Sequence, residues 1–367
     1  MASKLRVGLV FGGRSGEHEV SVVSARSVAR ALDPQRYEVV PMAIDKAGMW
    51  ASPEVAAKVL RDSGDRADAV LPFQGSERLD PRLLQGAVDL VMPILHGPFG
   101  EDGTIQGLCE MLDLPYVGCN VAASAVTMDK VLTKRLLREA GLAVVPFVTL
   151  QRTAWQRHRG DALRQQLASL GLPLFVKPAR LGSSVGISKV KAWEGLEAAL
   201  EEAFAYDDLV LLERGVEARE IEVAVLSGEP PVVSVPGEVV PGHEFYDYAD
   251  KYLDDACQLL APAPLPEEQV QKVRELALAA FLACGCDAMA RVDFLLDKRE
   301  GKFYVNELNS IPGFTPISMY PRLLALSGVP YGELVDRLIA LALQRHARRR
   351  AQAAAALRPL AERARLG

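Results

Sequence analysis

Asp293, Glu307 and Asn309 stand at spacings that would bring three oxygen donors together. Apolar runs at Val292–Leu296 and Phe303–Val305 flank Asp-Lys-Arg-Glu-Gly, the pattern of a β-hairpin. Residues two apart share a face of a strand, so Arg291 falls with Asp293 on one strand and Glu307 with Asn309 at the end of the other. An oxygen-only donor set suits Mg²⁺, which keeps positions for water and nucleotide phosphates. The same residues would equally serve as the solvated acids of a surface hairpin. Phosphate binders elsewhere in the chain would favour the metal centre.

One such element is Pro178 to Gly186, a Gly/Ser-rich loop with Lys177 at its edge and β-like runs, Leu172–Lys177 and Ile187–Val190, on either side. The amides of Gly182, Ser183 and Ser184 in a flap of this kind can cover phosphates. The next run, Leu209–Glu213, ends on a carboxylate able to accept hydrogen bonds from an adenine amine, and Glu220 opens the run Ile221–Leu226. Gly182-Ser183-Ser184-Val185-Gly186 also fits the G-x-S-x-G elbow of serine hydrolases. That elbow needs a strand turning directly into a helix, whereas the Ile-Ser-Lys-Val that follows is β-like, and only His243 and His346 lie downstream.

The elements that would carry these groups begin with Leu5–Phe11, the turn Gly12-Gly13-Arg14-Ser15-Gly16 and a helical stretch through Leu32. With Tyr37–Ile44 and Val88–Leu95 as further strands, this predicts a doubly wound α/β domain. The turn does not match the dinucleotide fingerprint G-x-G-x-x-G. It presents Glu17, His18 and Glu19 at a helix N-terminus, where acids complement the helix dipole and where Glu17 could receive a substrate ammonium. After Leu95 comes His96-Gly97-Pro98-Phe99-Gly100-Glu101-Asp102-Gly103, at a strand end where open α/β sheets bind ligands; His96 is a binding candidate there. Residues 119–127 read as a link, and Met128-Asp129-Lys130 opens a helix to Ala140, closed by Gly141. Pro236–Cys257, polar and aromatic, has the length of a lid, from which Lys251 and Tyr252 could reach a closed site. Tyr246, Tyr248 and Tyr252 could instead pin that loop to the surface. Pro266–Cys284 reads as one long helix.

Composition narrows the classes. A chain of 367 residues with 49% hydrophobic content can build two or three cores. Net charge −5 and pI near 5.7 argue against general nucleic-acid binding. The Ala/Arg-rich stretch 344–367 runs against that balance and reads as a solvated helical extension, with contact to an anionic partner as the other reading. Five Cys without a C-x-x-C fit free thiols in a reducing compartment. The N-terminal apolar run is too short for a signal peptide, and the longest greasy segment, Leu276–Cys284, is too short for a bilayer span. A cytoplasmic protein without membrane contact is expected.

Taken in order, F-G-G-R-S-G-E-H-E-V-S, H-G-P-F-G-E-D-G, M-D-K, K-P-A-R-L-G-S-S-V-G-I-S, F-Y-D-Y-A-D-K-Y, and R-V-D-F with N-E-L-N-S-I-P-G resemble the D-alanine–D-alanine ligases, ATP-grasp enzymes of peptidoglycan synthesis. The resemblance covers roughly residues 5–343. It implies an α/β ATP-grasp fold in three domains, here 1–118, 119–217 and 218–367, with a lid at 236–257 and the basic tail at 344–367. It further implies ATP held between two antiparallel sheets. Lys130, Lys177 and Lys251 would bind phosphates, with Gly182, Ser183 and Ser184 in the loop over them. Glu213 and Glu220 would hold adenine and ribose, beside Arg214, where some members carry Lys. Asp293, Glu307 and Asn309 would coordinate two Mg²⁺ ions, with Mn²⁺ as a substitute. Glu17 would bind the first D-alanine's ammonium and connect through Ser183 to Tyr252. Arg291 and the Gly313 amide would form the oxyanion site, and Ser318 with the Met319 backbone would receive the second substrate's carboxylate. The substrates implied are D-alanine and ATP, in a homodimer. Close alternatives are ligases making D-alanine–D-lactate or D-alanine–D-serine, or other ATP-grasp carboxylate–amine ligases; further off is a nucleotide-binding regulator with a dead site.

Overall fold

A computed structural model of the chain describes residues 3–76, 78, 84–157, 163, 165, 167–182, 184–241 and 258–356. Its strands form three sheets. The first comprises β1 (Leu5–Gly12), β2 (Tyr37–Ile44) and β3 (Leu90–Ile94), parallel in the order β2-β1-β3. Val7, Leu9 and Phe11 of β1 face one apolar cluster and Val10 faces another, as a parallel sheet covered on both sides requires. Gly12 has φ +88°, and a Cβ there would stand 2.2 Å from the Ile44 carbonyl oxygen, so this turn needs glycine.

The second sheet, antiparallel, contains β4 (Phe147–Gln151), β5 (Leu174–Pro178), β6 (Ser188–Val190) and β7 (Leu209–Arg214) in the order β4-β7-β5-β6. Helix Leu196–Tyr206 buries Leu196, Ala199, Leu200, Ala203 and Phe204, one helical face, against Leu174, Val176, Val210 and Leu212. Alternation then turns Leu211 and Glu213 of β7 to the opposite face.

The third sheet holds β8 (Ala218–Leu226), β9 (Val232–Val233), β10 (Gly237–Val240), β11 (Gln258–Leu260), β12 (Met289–Asp297) and β13 (Phe303–Asn309). Its order is β11-β10-β8-β12-β13, with β9 on β8. One face, with Ile221, Val223, Val225, Val292 and Phe294, packs on helix Glu267–Ala283. On the other face Ala224, Leu226 and Met289 join the core of the first domain, while Glu220, Glu222, Arg291 and Asp293 line a cleft towards the second sheet.

Three expectations change. Residues 121–128 form a helix, Val121–Met128, capped by Asn120 through Ala123 N–H, where the sequence reads as a link. Asp129 separates it from helix Lys130–Glu139 and accepts hydrogen bonds from the amides of Val131 and Leu132. The expected lid at 236–257 begins as strand β10 between β8 and β11; its remainder, with His243, Tyr246, Tyr248, Lys251 and Tyr252, lies outside the described residues except for 241. The basic stretch is in part bound rather than solvated. Helix Tyr331–Ala356 brings the buried Arg345 to the carbonyl oxygens of Tyr116 and Gly118 and to Asp287. Along the same helix His346 meets Asp113, and Arg349 pairs with Glu110. Arg345, Arg349 and Arg350 thus find anionic partners within this chain. Residues 357–367 lie outside the described residues.

Candidate active site

The cleft between the second and third sheets encloses about 920 Å³. A second cavity, about 370 Å³, lies between the first domain and residues 307–319. Both are lined by Lys130, Gly182, Glu222, Arg291 and Glu307, so the two spaces meet at these side chains. Glu213, Arg214, Glu220, Lys177, Ser184 and Asp293 line the larger cleft, and Glu17, His96, Asn309, Gly313, Ser318 and Met319 the smaller cavity. Ser183 lies outside the described residues.

The hairpin brings its polar residues together as the strand period dictates. Arg291 pairs with Asn309 and Asp293 with Glu307 across β12 and β13. The Arg291 guanidinium donates from Nε and Nη2 to the two Asp293 oxygens at 2.7 Å each, and Asn309 Nδ2 donates to Asp293 Oδ2 at 2.9 Å. Lys130 Nζ lies 3.5 Å from Glu307 Oε2 and donates to the Leu181 carbonyl at 2.7 Å, which ties it to the Gly/Ser-rich loop.

Deeper in the cleft, Glu213 stands between two lysines, with Lys134 and Lys177 each 2.6 Å from one carboxylate oxygen. Burial opposes ionisation of Glu213, but the two lysines outweigh it and hold its pKa down to about 2. Burial likewise works against the charge on Lys177, and Glu213, helped by Glu307 and Glu220, more than offsets it, raising the lysine. For Lys134, fully enclosed, burial prevails and its pKa falls. In this arrangement both oxygens of Glu213 already hold lysines, and a purine amine would be a further donor to them.

On the other side of the junction, the Glu17 carboxylate rests against two glycines. A Cβ on Gly97 or on Gly182 would come to 3.2 Å from Glu17 Oε2. Glu101 is partly buried and accepts from the Gly97 and Ile311 amides at 2.8 and 3.0 Å. Burial, reinforced by the nearby Glu17 charge, pushes Glu101 up to about 8 against those two bonds. Both nitrogens of His96 are occupied by protein groups, Nδ1 by the Ile311 carbonyl at 2.9 Å and Nε2 by Ser24 Oγ at 3.2 Å. Burial lowers its pKa. A neutral imidazole donates from Nδ1 and accepts at Nε2 from the Ser24 hydroxyl, which itself accepts the Phe314 N–H. The loop carrying Gly313 is thus fastened to the first domain on both sides of Gly313. Ser318 Oγ accepts from the Thr315 amide at 3.1 Å and sits at the N-terminus of helix Met319–Leu326.

Glu222, Lys134 and Glu101 were not singled out from the sequence. The signals for the first two were local: Glu222 is two residues from Glu220 on one strand face, and Lys134 is one helical turn beyond Lys130. Among the described residues no helix is long and apolar enough to cross a membrane.

Comparison with known proteins places this geometry. Residues 6–119 match the family model described as the D-ala D-ala ligase N-terminus, and residues 136–340 match the D-ala D-ala ligase C-terminus. A curated relative from Bradyrhizobium diazoefficiens, named D-alanine–D-alanine ligase A, is 49% identical over 95% of this chain and 98% of its own. The solved structure of the D-alanine–D-alanine ligase from Coxiella burnetii superposes with a TM-score of 0.80 at 37% identity, covering 96% of this chain and 98% of that one. The VanG D-Ala:D-Ser ligase from Enterococcus faecalis gives 0.77 at 32%, over 93% of this chain and 100% of that one. With two sheets enclosing a cleft, a parallel-sheet domain beside them and relatives matched from end to end, the chain has the ATP-grasp fold and belongs to the D-alanine–D-alanine ligase family.

Proposed function

We propose that the protein joins two D-alanine molecules to D-alanyl-D-alanine at the expense of ATP, through an acyl phosphate, as a cytoplasmic enzyme of peptidoglycan precursor synthesis. The observation that carries this reading is the meeting of the nucleotide-sized cleft and the smaller cavity at Lys130, Gly182, Glu222, Arg291 and Glu307. A phosphoryl group bound at that junction would face an amino acid in the smaller cavity.

In this reading Glu17 binds the first D-alanine's ammonium and directs its carboxylate to the junction. A carboxylate oxygen attacks the γ-phosphorus, and the bond to the β-phosphate oxygen breaks, leaving ADP. Lys130 and Lys177, with Lys251 from the lid, offset the phosphate charge, and Gly182, Ser183 and Ser184 cover the phosphates. Glu213, Arg214 and Glu220 face the nucleoside. The second D-alanine, held by Ser318 and the Met319 backbone, attacks the acyl carbonyl with its neutral amine. Arg291 and the Gly313 N–H stabilise the oxyanion, and inorganic phosphate leaves with the electron pair of the broken C–O bond. Glu17 connects through Ser183 to Tyr252 of the lid, and the lid excludes water, since an acyl phosphate hydrolyses readily.

Asp293, Glu307 and Asn309 suit Mg²⁺, or Mn²⁺ in its place. Both acids carry hard oxygens, sit directly opposite one another and keep 13% and 27% of their side chains accessible at the junction. The described residues hold no cluster of three or more His, Cys, Asp or Glu able to bind a metal, so remaining positions would fall to phosphate and water. When bound, such ions supply charge neutralisation on the phosphates. His96 has both nitrogens engaged and acts here by holding the Gly313 loop rather than by contacting substrate through nitrogen.

The assignment is tested by measuring ADP and phosphate release with D-alanine, D-lactate and D-serine, singly and in pairs. D-alanine alone should sustain turnover and yield the dipeptide, and chelator should abolish it. Predominant D-alanyl-D-lactate or D-alanyl-D-serine from mixtures at neutral pH would overturn the second-substrate assignment. A homodimer in solution is part of the same proposal.

A further inference from the structure

Glu222 has no part in that scheme, yet it is 6% exposed, lines both cavities and stands in register with the two acids of the hairpin. On β8 it lies directly opposite Asp293 of β12, which lies opposite Glu307 of β13, so three carboxylates form a row across three adjacent strands. Its neighbour on the other side is Gly237 of β10, where Met319 fills the space: a Cβ on Gly237 would come to 2.6 Å from the Met319 sulfur. With a thioether on one flank, the carboxylate has its charged partner on the other, where Arg291 Nε lies 3.2 Å from Glu222 Oε2.

Arg291 is therefore shared. Its Nε and Nη2 hold Asp293 at 2.7 Å, and Asn309 takes a further lone pair of the same carboxylate. Those lone pairs are the ones a divalent cation would require, and a cation at Asp293 would repel a guanidinium held in the same place. Nε hydrogen-bonds to Asp293 and lies within ion-pair distance of Glu222, so a small shift of the side chain passes it from one to the other. We propose that Glu222 is a positioning residue: it retains Arg291, aimed at the reacting carbonyl, when Asp293 turns to the nucleotide-bound cation. The proposal rests on the role given above to Arg291 as oxyanion donor. Glu222 lets one short strand pair serve both metal and oxyanion without the arginine being driven away.

The test uses the full chain with Glu222→Gln, which keeps the size but not the charge, and Glu222→Asp, which keeps the charge. Calorimetry gives the Kd of Mg·ADP, and then, with Mg·ADP bound, the Kd of a phosphinate dipeptide analogue whose tetrahedral P–O⁻ stands where the oxyanion would form. For Glu222→Gln, Mg·ADP should bind within twofold of the unaltered protein while the phosphinate weakens about 10- to 100-fold, below the roughly 100- to 1000-fold loss of an oxyanion donor itself. Phosphate released per dipeptide should rise above one as stranded acyl phosphate falls to water. Glu222→Asp should recover part of both losses. Unchanged phosphinate affinity and coupling in Glu222→Gln would overturn the proposal. So would a loss of Mg·ADP affinity equal to that for the phosphinate in both variants, which would make Glu222 a metal or nucleotide residue. Failure of the unaltered protein to form dipeptide would instead count against the proposed function.

Discussion

Glu213 shows how much a single side chain in this cleft depends on its neighbours. Two lysines contact it at 2.6 Å, and all three groups are largely removed from water. Glu213→Gln should cost on the order of 3–5 kcal/mol at neutral pH, the usual penalty for leaving a buried charge without its partner; chemical denaturation measures it. The sign of its pH dependence follows from a carboxylate depressed from 4.5 to about 2. Its stabilisation is fully present above the unfolded value and is lost as pH falls from about 4.5 towards 2, so the gap between variant and unaltered protein should narrow over that interval. Glu17→Gln is expected to act differently. It removes a charge-assisted contact worth roughly 1.5–3 kcal/mol and should raise the KM for the first D-alanine with little change in nucleotide affinity, as kinetics resolving the two D-alanine sites would reveal. The acids of the hairpin were legible from their two-residue spacing because strand geometry alone determines which way they face. Glu101 was not, because its surroundings depend on residue 311, which is 210 positions away.

At the scale of elements, hairpins and glycine turns were the most legible features. β12 and β13 extend the expected runs by a few residues at their ends, and the turn after β1 is where the glycines stand. Gly12→Ala should lower stability on the order of 3 kcal/mol, since it combines a left-handed backbone with a Cβ 2.2 Å from the Ile44 oxygen; a thermal melt with unchanged far-ultraviolet dichroism below the transition would verify that the cost is local. Residues 121–128 were missed because their Ala- and Val-rich run carries little amphipathic contrast, and the helix is fixed instead by its Asn120 cap and by packing. β10 was missed for a related reason. Four residues set between Pro236 and Pro241 become a strand only because β8 and β11 lie on either side.

For the whole molecule, the relation of the domains was the least legible, since it depends on contacts between residues far apart in sequence. Arg345 donates to the Tyr116 and Gly118 carbonyls at 2.6 and 2.5 Å and to Asp287 at 3.0 Å, joining the C-terminal helix to residues 116–118 and to the segment before β12. Nothing in an Ala/Arg-rich helix marks one arginine as the buried one. Arg345→Ala should cost on the order of 3 kcal/mol through the stranded carbonyls and carboxylate, whereas Arg348→Ala, exposed on the same helix, should fall within about 0.5 kcal/mol of no change; paired denaturation curves distinguish them. In the proposed function, ligation passes through an acyl phosphate where the two cavities meet, and the fate of one oxygen tests it most directly. With D-alanine labelled by ¹⁸O in its carboxylate, each dipeptide formed should release one phosphate carrying one labelled oxygen, read by mass spectrometry. Dipeptide accompanied by unlabelled phosphate, or label appearing in AMP, would contradict the account.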